Sequence, residues 1–248
     1  MKNPKKIAAI LALSTFSANG AILVLDEGFN ANNDDSAITD AELSNLDFTG
    51  ASKLVVTVGV KGSGLSPDFQ AGTVTYNSEQ MTLAVGSGPS PGNGSAYGWV
   101  GIYYLDNPGL IGVGDLVVQD PGYSLAVSAL VLSGTTDGFG ATNLSTSAAT
   151  VSLTTTSADS LVLAGYSDGS SSAVAASPLT SIFSATFGSG NHASGYQIVD
   201  AASTITPTFT TDGNRPSIVV AEFTAIPEPS TTALLGLGGL ALILRRRK

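Results

Sequence analysis

Between residues 22 and 225 the chain offers no convincing amphipathic helix. It breaks instead into short runs rich in Val, Tyr, Ile and Thr, each closed by Gly, Pro, Asn, Asp or Ser. The first half holds KLVVTVGV (53–60), GTVTY (72–76), MTLAV (81–85), GWVGIYYL (98–105), DLVVQ (115–119) and YSLAVSALVL (123–132). The second half continues with ATVSLTT (149–155), DSLVLAGY (159–166), SIFSATFG (181–188), GYQIVD (195–200) and PSIVVAEFT (216–224). Period-two patterning puts Leu161 with Leu163, and Ile182 with Ser184 and Thr186, on common faces. The one helical candidate, DSAITDAELSNL (35–46), spaces Ile38, Leu43 and Leu46 unevenly and supports at most a short surface helix. About eleven strands with turn signals every eight to twelve residues predict an all-β fold, an antiparallel β-sandwich of jelly-roll-like or immunoglobulin-like type. A β-helix would need a fixed repeat of about 20–25 residues, and none is visible.

The succession LVVTVGV, GTVTYNSEQMTLAV, GWVGIYYLDNPG, GDLVVQ and YSLAVSALVLSG resembles a β-sandwich module of bacterial exported and phage-associated proteins. The resemblance covers residues 52–134 and continues more loosely to about 223. Its motifs are structural, so it implies a fold and no activity. Asn77, Ser78 and Glu79 are expected to form a hairpin turn, and Asn107, Pro108 and Gly109 to end the following strand.

Placing the charges says more than summing them. The net charge is −9, yet seven of the ten basic residues are Lys2, Lys5, Lys6, Arg245, Arg246, Arg247 and Lys248. Between the two ends only Lys53, Lys61 and Arg215 face eighteen acids, 3 − 18 = −15. Such a surface repels phosphate backbones and excludes nucleic acid as a partner. Lys2, Lys5 and Lys6, the apolar stretch IAAILALSTF and the small residues SANGA form a signal peptide, 1–21, for signal peptidase. With no cysteine and a single histidine, thiolate and His-rich metal sites are unavailable.

Several residue groups invite chemistry. Gly165, Ser167 and Gly169 spell G-x-S-x-G after a predicted strand, but no helix formers come next. The only acid between Ser167 and His192 is the adjacent Asp168, which would point to the other side of the chain, so a Gly-rich turn is the expected role and His192 reads as a loop residue. Asp106, Asp115, Asp120, Asp137, Asp168 and Asp212 sit beside turn residues and read as solvated turn formers, not as a glycosidase pair. Asn30, Asn32 and Asp34 alternate like the start of an EF-hand loop, the candidate for a structural calcium; Asp35 then stands where Gly is needed and Ala41 where the bidentate Glu belongs. Tyr97, Trp99 and Tyr103 share one strand face and could stack on a glycan, with core packing as the competing role.

The C-terminus reads IPEPSTTALLGLGGLALILRRRK. Pro227, Glu228, Pro229 and Ser230 precede an apolar segment, Thr231 to Leu244, and a basic cluster, Arg245, Arg246, Arg247 and Lys248. This order resembles the PEP-CTERM sorting signal of Gram-negative bacteria, which implies recognition by an exosortase and delivery to the cell surface or extracellular matrix. Fourteen residues as a helix span about 21 Å, short of a hydrocarbon core of about 30 Å, and Gly236, Gly238 and Gly239 weaken the helix, as suits a transient membrane segment. The expected plan is therefore signal peptide 1–21, β-sandwich 22–225 and sorting segment 226–248, with almost no tether between the last strand and Pro227. The expected role is a non-enzymatic surface or matrix protein in adhesion, biofilm or exopolysaccharide association; a carbohydrate-binding module or a glycan hydrolase is the alternative.

Overall fold

A computed structural model describes residues 21–31, 40–44, 46–61, 72–88, 98–111, 114–119, 124–168, 175–177, 179–187, 190–210 and 216–227. Ala21–Ile226 belong to one compact unit. The described chain is all-β apart from one 3-10 turn at Pro108–Leu110, and every strand pair is antiparallel. In chain order the strands are β1 (Leu23–Ala31), β2 (Asp40–Leu43), β3 (Lys53–Lys61), β4 (Val74–Tyr76), β5 (Glu79–Gln80), β6 (Thr82–Gly86), β7 (Trp99–Asp106), β8 (Leu116–Gln119) and β9 (Ser124–Ser133). They continue as β10 (Thr142–Ser145), β11 (Leu153–Thr154), β12 (Ser160–Asp168), β13 (Ala175–Ser177), β14 (Thr180–Phe187), β15 (Gly190–Val199), β16 (Thr204–Ile205), β17 (Thr208–Thr210) and β18 (Ser217–Phe223).

Two five-stranded sheets face each other, ordered β1-β9-β3-β7-β6 and β10-β18-β12-β15-β14. Val55, Val100, Ile102, Leu130 and Leu132 of the first sheet pack against Leu161, Leu163, Val219, Ala221 and Phe223 of the second. The opposite face of each sheet is also covered. A small sheet, β2-β8-β4-β5, brings Val74, Tyr76, Leu116 and Val118 onto Leu54, Val56, Val58 and Val60. The pairs β11-β16 and β13-β17 flank the second sheet, where Leu153 and Phe209 meet Val162, Ala164 and Tyr166. Burial on both faces explains why β3, β9, β12 and β18 read as nearly unbroken apolar runs without alternation: every side chain of β12 and β18 is buried. Each Val or Leu so enclosed contributes about 1.5–3 kcal/mol.

The two sheets are copies of one topology. Numbering the long strands by their order within each half, both sheets run 1-5-2-4-3. In both, short strands inserted after long strands 1 and 2 pair with those inserted before long strand 5: β2 and β4 with β8, and β11 with β16 and β13 with β17. The register makes the match residue by residue. A bulge at Ala84, opposite the step from Tyr103 to Ile102, recurs at Ile182, opposite the step from Gly195 to Ser194. The bulge at Leu25 beside Val131 recurs where Gly140 and Ala141 both bond Glu222. Propagating that register equates Lys53 with Leu161, Tyr104 with Tyr196, Val100 with His192 and Leu132 with Phe223.

Three local expectations need correction. The acid-rich stretch after Asp26 begins as the edge strand β1, and Asp40–Leu43 form β2 where a surface helix was expected. Edge position accounts for the first: Glu27 and Phe29 project outward while Ile22 alone is deeply buried nearby. The run 149–155 contributes only the two-residue β11 and a bridge from Thr150 to Thr208. Asn77 and Ser78, both left-handed at φ 46° and 66°, do form the β4–β5 turn, whereas Glu79 belongs to β5 and pairs with Tyr76; Asn107 at φ 52° ends β7 as expected.

Candidate functional site

The last strand, β18, lies between β10 and β12, so the end of the folded domain is held centrally and not at a loose edge. Pairing continues past Phe223. Thr136 donates its N–H to the Thr224 carbonyl at 2.9 Å, Ala225 forms a bridge with Thr135, and Ile226 donates to the Gly134 carbonyl at 2.9 Å. Ala225 is buried, whereas Ile226 is 48% exposed and Pro227 is exposed.

Gly134 is also where the chain enters the fold. It takes φ 75°, and a Cβ there would stand 2.7 Å from the Ala21 carbonyl oxygen. Its neighbour Thr135 shares a 2.7 Å hydroxyl–hydroxyl bond with Ser52. The connection between the halves therefore touches both the first and the last described residues of the domain.

Two buried charges fasten this connection. The Lys53 ammonium pairs with Asp106 and donates to the Gly138 carbonyl at 2.7 Å, with the rings of Tyr104 and Phe223 4.9 and 5.8 Å away. Burial pulls its pKa down, opposed by Asp106. Asp106 in turn accepts from the Gly138 N–H at 2.9 Å. Glu222 accepts from the N–H groups of Ala141, Thr156 and Ser157 and from the hydroxyls of Thr156 and Ser160, all within 3.1 Å. Burial would raise its pKa, but these donors together hold it below the usual value. Sequence reasoning passed over both Lys53 and Glu222; their signal was a lone charge inside an apolar run, SKLVV and VVAEF.

The segment beyond Ile226 gives this junction its meaning. Residues 225–248 match the family model of the PEP-CTERM protein-sorting motif. No curated protein and no solved structure matches the chain, so the likeness to a β-sandwich module rests on sequence features alone. The sorting motif marks an exported protein of a Gram-negative-type envelope, processed by an exosortase. It overlaps the fold by two residues only, Ala225 and Ile226, both of them pinned to the connection between the halves. Of its further residues, Pro227 is described; Glu228, Pro229, Ser230, Thr231 to Leu244, and Arg245, Arg246, Arg247 and Lys248 lie outside the described residues, as do residues 1–20 of the expected signal peptide, 1–21. Among the described residues no helix is long and apolar enough to cross a membrane.

The other candidates take their places in the fold. Ser167 belongs to β12, not to a turn: its hydroxyl is buried between the sheets without a hydrogen-bond partner. Asp168 is fully buried rather than a solvated turn former, and faces the opposite way, accepting from the Tyr166 hydroxyl at 2.8 Å and the Asn191 amide at 3.3 Å. His192 is not in a loop but in β15, directly across from Ser167. Its Nδ1 donates to the Tyr166 carbonyl at 2.8 Å, and its Nε2 meets the Thr57 hydroxyl at 3.4 Å. Thr57 bonds Ser128, which bonds Ser194 at 2.6 Å, making a short polar seam between the two sheets. Gly59 gives the imidazole room, since a Cβ there would lie 2.4 Å from Nδ1.

Trp99 is fully buried and Tyr103 nearly so, and both pack in the core beneath the first small sheet instead of offering a platform for a glycan; Tyr97 lies outside the described residues. The indole lies against Gly101, where a Cβ would come within 2.3 Å of the ring. Asn30 sits in β1, while Asn32 and Asp34 fall outside the described residues. Among the described residues no cluster of three His, Cys, Asp or Glu could hold a metal ion.

Proposed function

We propose that the chain is a non-enzymatic surface or extracellular-matrix protein, sorted by an exosortase-type system and acting in adhesion, biofilm or exopolysaccharide association. The observation that carries the reading is the sorting motif at residues 225–248, joined without a spacer to a double-layered β-domain. The buried charges support the non-enzymatic part: the carboxylates of Asp106 and Glu222 are engaged by Lys53 and by a ring of N–H and O–H donors, as structural pins are. An acidic exterior, with three basic residues between the two ends, suits a neutral or cation-bridged polysaccharide better than an anionic one.

The test uses the chain expressed in an exosortase-bearing host. Extracellular material should lack the RRRK end by mass spectrometry, deletion of the exosortase should retain the chain in the membrane fraction, and the released protein should bind glycans on an array without liberating reducing sugar. An intact RRRK end on extracellular protein would refute the sorting reading. Steady release of reducing sugar from a bound glycan would replace the binding role with a hydrolase.

A further inference from the structure

The two segments that flank the domain leave it side by side. Ala21 and Ile226 both contact Gly134, one by its carbonyl and the other by its N–H. Exposed apolar side chains gather at the same end. Leu23, 56% exposed, lies opposite Ser133, the neighbour of Gly134, and Ile226 is itself 48% exposed. Phe139, 40% exposed, comes directly after the Gly138 that Lys53 and Asp106 hold, and Leu110, 87% exposed, lies three residues past Asn107, whose N–H bonds Ser52. Burial in the core does not account for these four, and their neighbours in sequence tie them all to the connection between the halves.

We propose that this end of the domain is a lipid-facing surface, which meets the outer headgroup region of the membrane while both flanking segments are still attached. Its occupant is a phospholipid surface because of where the remaining chain departs. Twenty residues precede Ala21 and twenty-two come after Ile226; each holds an apolar stretch and a basic cluster, and both start within a residue or two of one glycine. Membrane segments attached at one end of the domain would turn that end toward the bilayer. The interface would be shallow: Leu23, Leu110, Phe139 and Ile226 enter the headgroup layer, and Asp137, exposed two residues before Phe139, makes anionic lipid unfavourable. The proposal rests on the reading of residues 1–21 and 226–248 as export and sorting segments.

The chain has no cysteine, so single reporters can be placed in the full-length protein. Leu23→Cys, Phe139→Cys and Ile226→Cys, with Phe29→Cys and Leu144→Cys as distant controls, would each carry an environment-sensitive fluorophore. The protein would be reconstituted in phosphatidylethanolamine vesicles containing a headgroup-nitroxide lipid. The first three labels should be quenched several-fold more strongly than the controls, and the difference should shrink as phosphatidylglycerol replaces phosphatidylethanolamine. Equal or reversed quenching in vesicle-bound protein overturns the proposal and leaves the sorting reading intact; failure to sediment with vesicles overturns both. Separately, a short bis-maleimide should link Leu23→Cys to Ile226→Cys in the folded chain, and absence of that link would refute the shared exit.

Discussion

The first half of the domain, through Ser133, and the second, through Phe223, share the strand order of the main sheet and both bulges, yet differ sharply in what they bury at matching positions. Lys53 and Asp106 of the first half correspond to Leu161 and Ile198 of the second, and Glu222 of the second corresponds to Val131 of the first. At the seam, Thr57, Ser128, His192 and Ser194 correspond to Gly165, Val219, Val100 and Ile102, so one side is hydrogen-bonded and its symmetric counterpart is apolar. The fold itself thus asks only for apolar residues of suitable size at these places. The buried polar groups are additions, and each binds something particular to one half: the connection at Gly138, the loop at Thr156 and Ser157, or the register of one sheet on the other.

Transplanting residues between matching positions tests this. The largest effect is expected from Glu222→Val, which imports the residue of the first half but strands the donors of Ala141, Thr156, Ser157 and Ser160. Stability should fall by about 4 kcal/mol, read as a lower urea midpoint with unchanged slope. Next, Asp106→Ala should cost about 3 kcal/mol because it leaves the Lys53 ammonium buried with one carbonyl partner. The double variant Lys53→Leu, Asp106→Ile, which copies the second half, should recover most of that loss.

A third test is pH. Complete burial, opposed only partly by the bond to the Tyr166 carbonyl, pulls the His192 pKa from 6.5 to about 4. The unfolded chain takes up this proton below about pH 6.5 while the folded chain does not, so stability falls as pH drops from about 6.5 toward 4, by about 3 kcal/mol. His192→Val, importing Val100, should flatten that window in urea titrations at successive pH values. The lowered pKa of Glu222 works in a more acidic range: its contribution is present above its ordinary value of 4.5 and disappears as pH falls through the lowered one. The smallest effect concerns β5, a cover strand in the first half without a counterpart among the described residues of the second. Ser78→Gly relieves a left-handed serine at φ 66° and should stabilise by about 0.5–1 kcal/mol, raising the melting temperature a few degrees.

The sequence displayed strands best where both faces are buried, since β3, β9, β12 and β18 are dense in Val and Leu. It concealed β1, whose acids and Asn suit an edge, and the cover strands of two to four residues, which are too short to show a period. The duplication was concealed by shrinking connections. The offset between matching residues falls from 115 at the first long strands (142 − 27) to 91 at the last (223 − 132), so no constant repeat exists to find. His192 looked like a loop residue because SGNHASG is small and polar; small residues are what tight packing of two sheets requires there. The sorting motif was legible as an order of segments. Its attachment at Gly134 was not, because only topology brings Ala21, Gly134 and Ile226 together.

In each sheet the last long strand of its half is inserted between the first and the second, β9 between β1 and β3, β18 between β10 and β12. This arrangement sets a timetable for a chain delivered amino end first. The earlier sheet can close once Ser133 has emerged, but the later one waits for Phe223, the end of the strand that immediately precedes the sorting motif. Throughout that interval Val55, Val100, Ile102, Leu130 and Leu132 present a bare apolar plane to the surroundings. Closure of the second sheet over that plane therefore needs the very strand that runs directly into the sorting motif, which ties completion of the fold to the residues next to the processing signal.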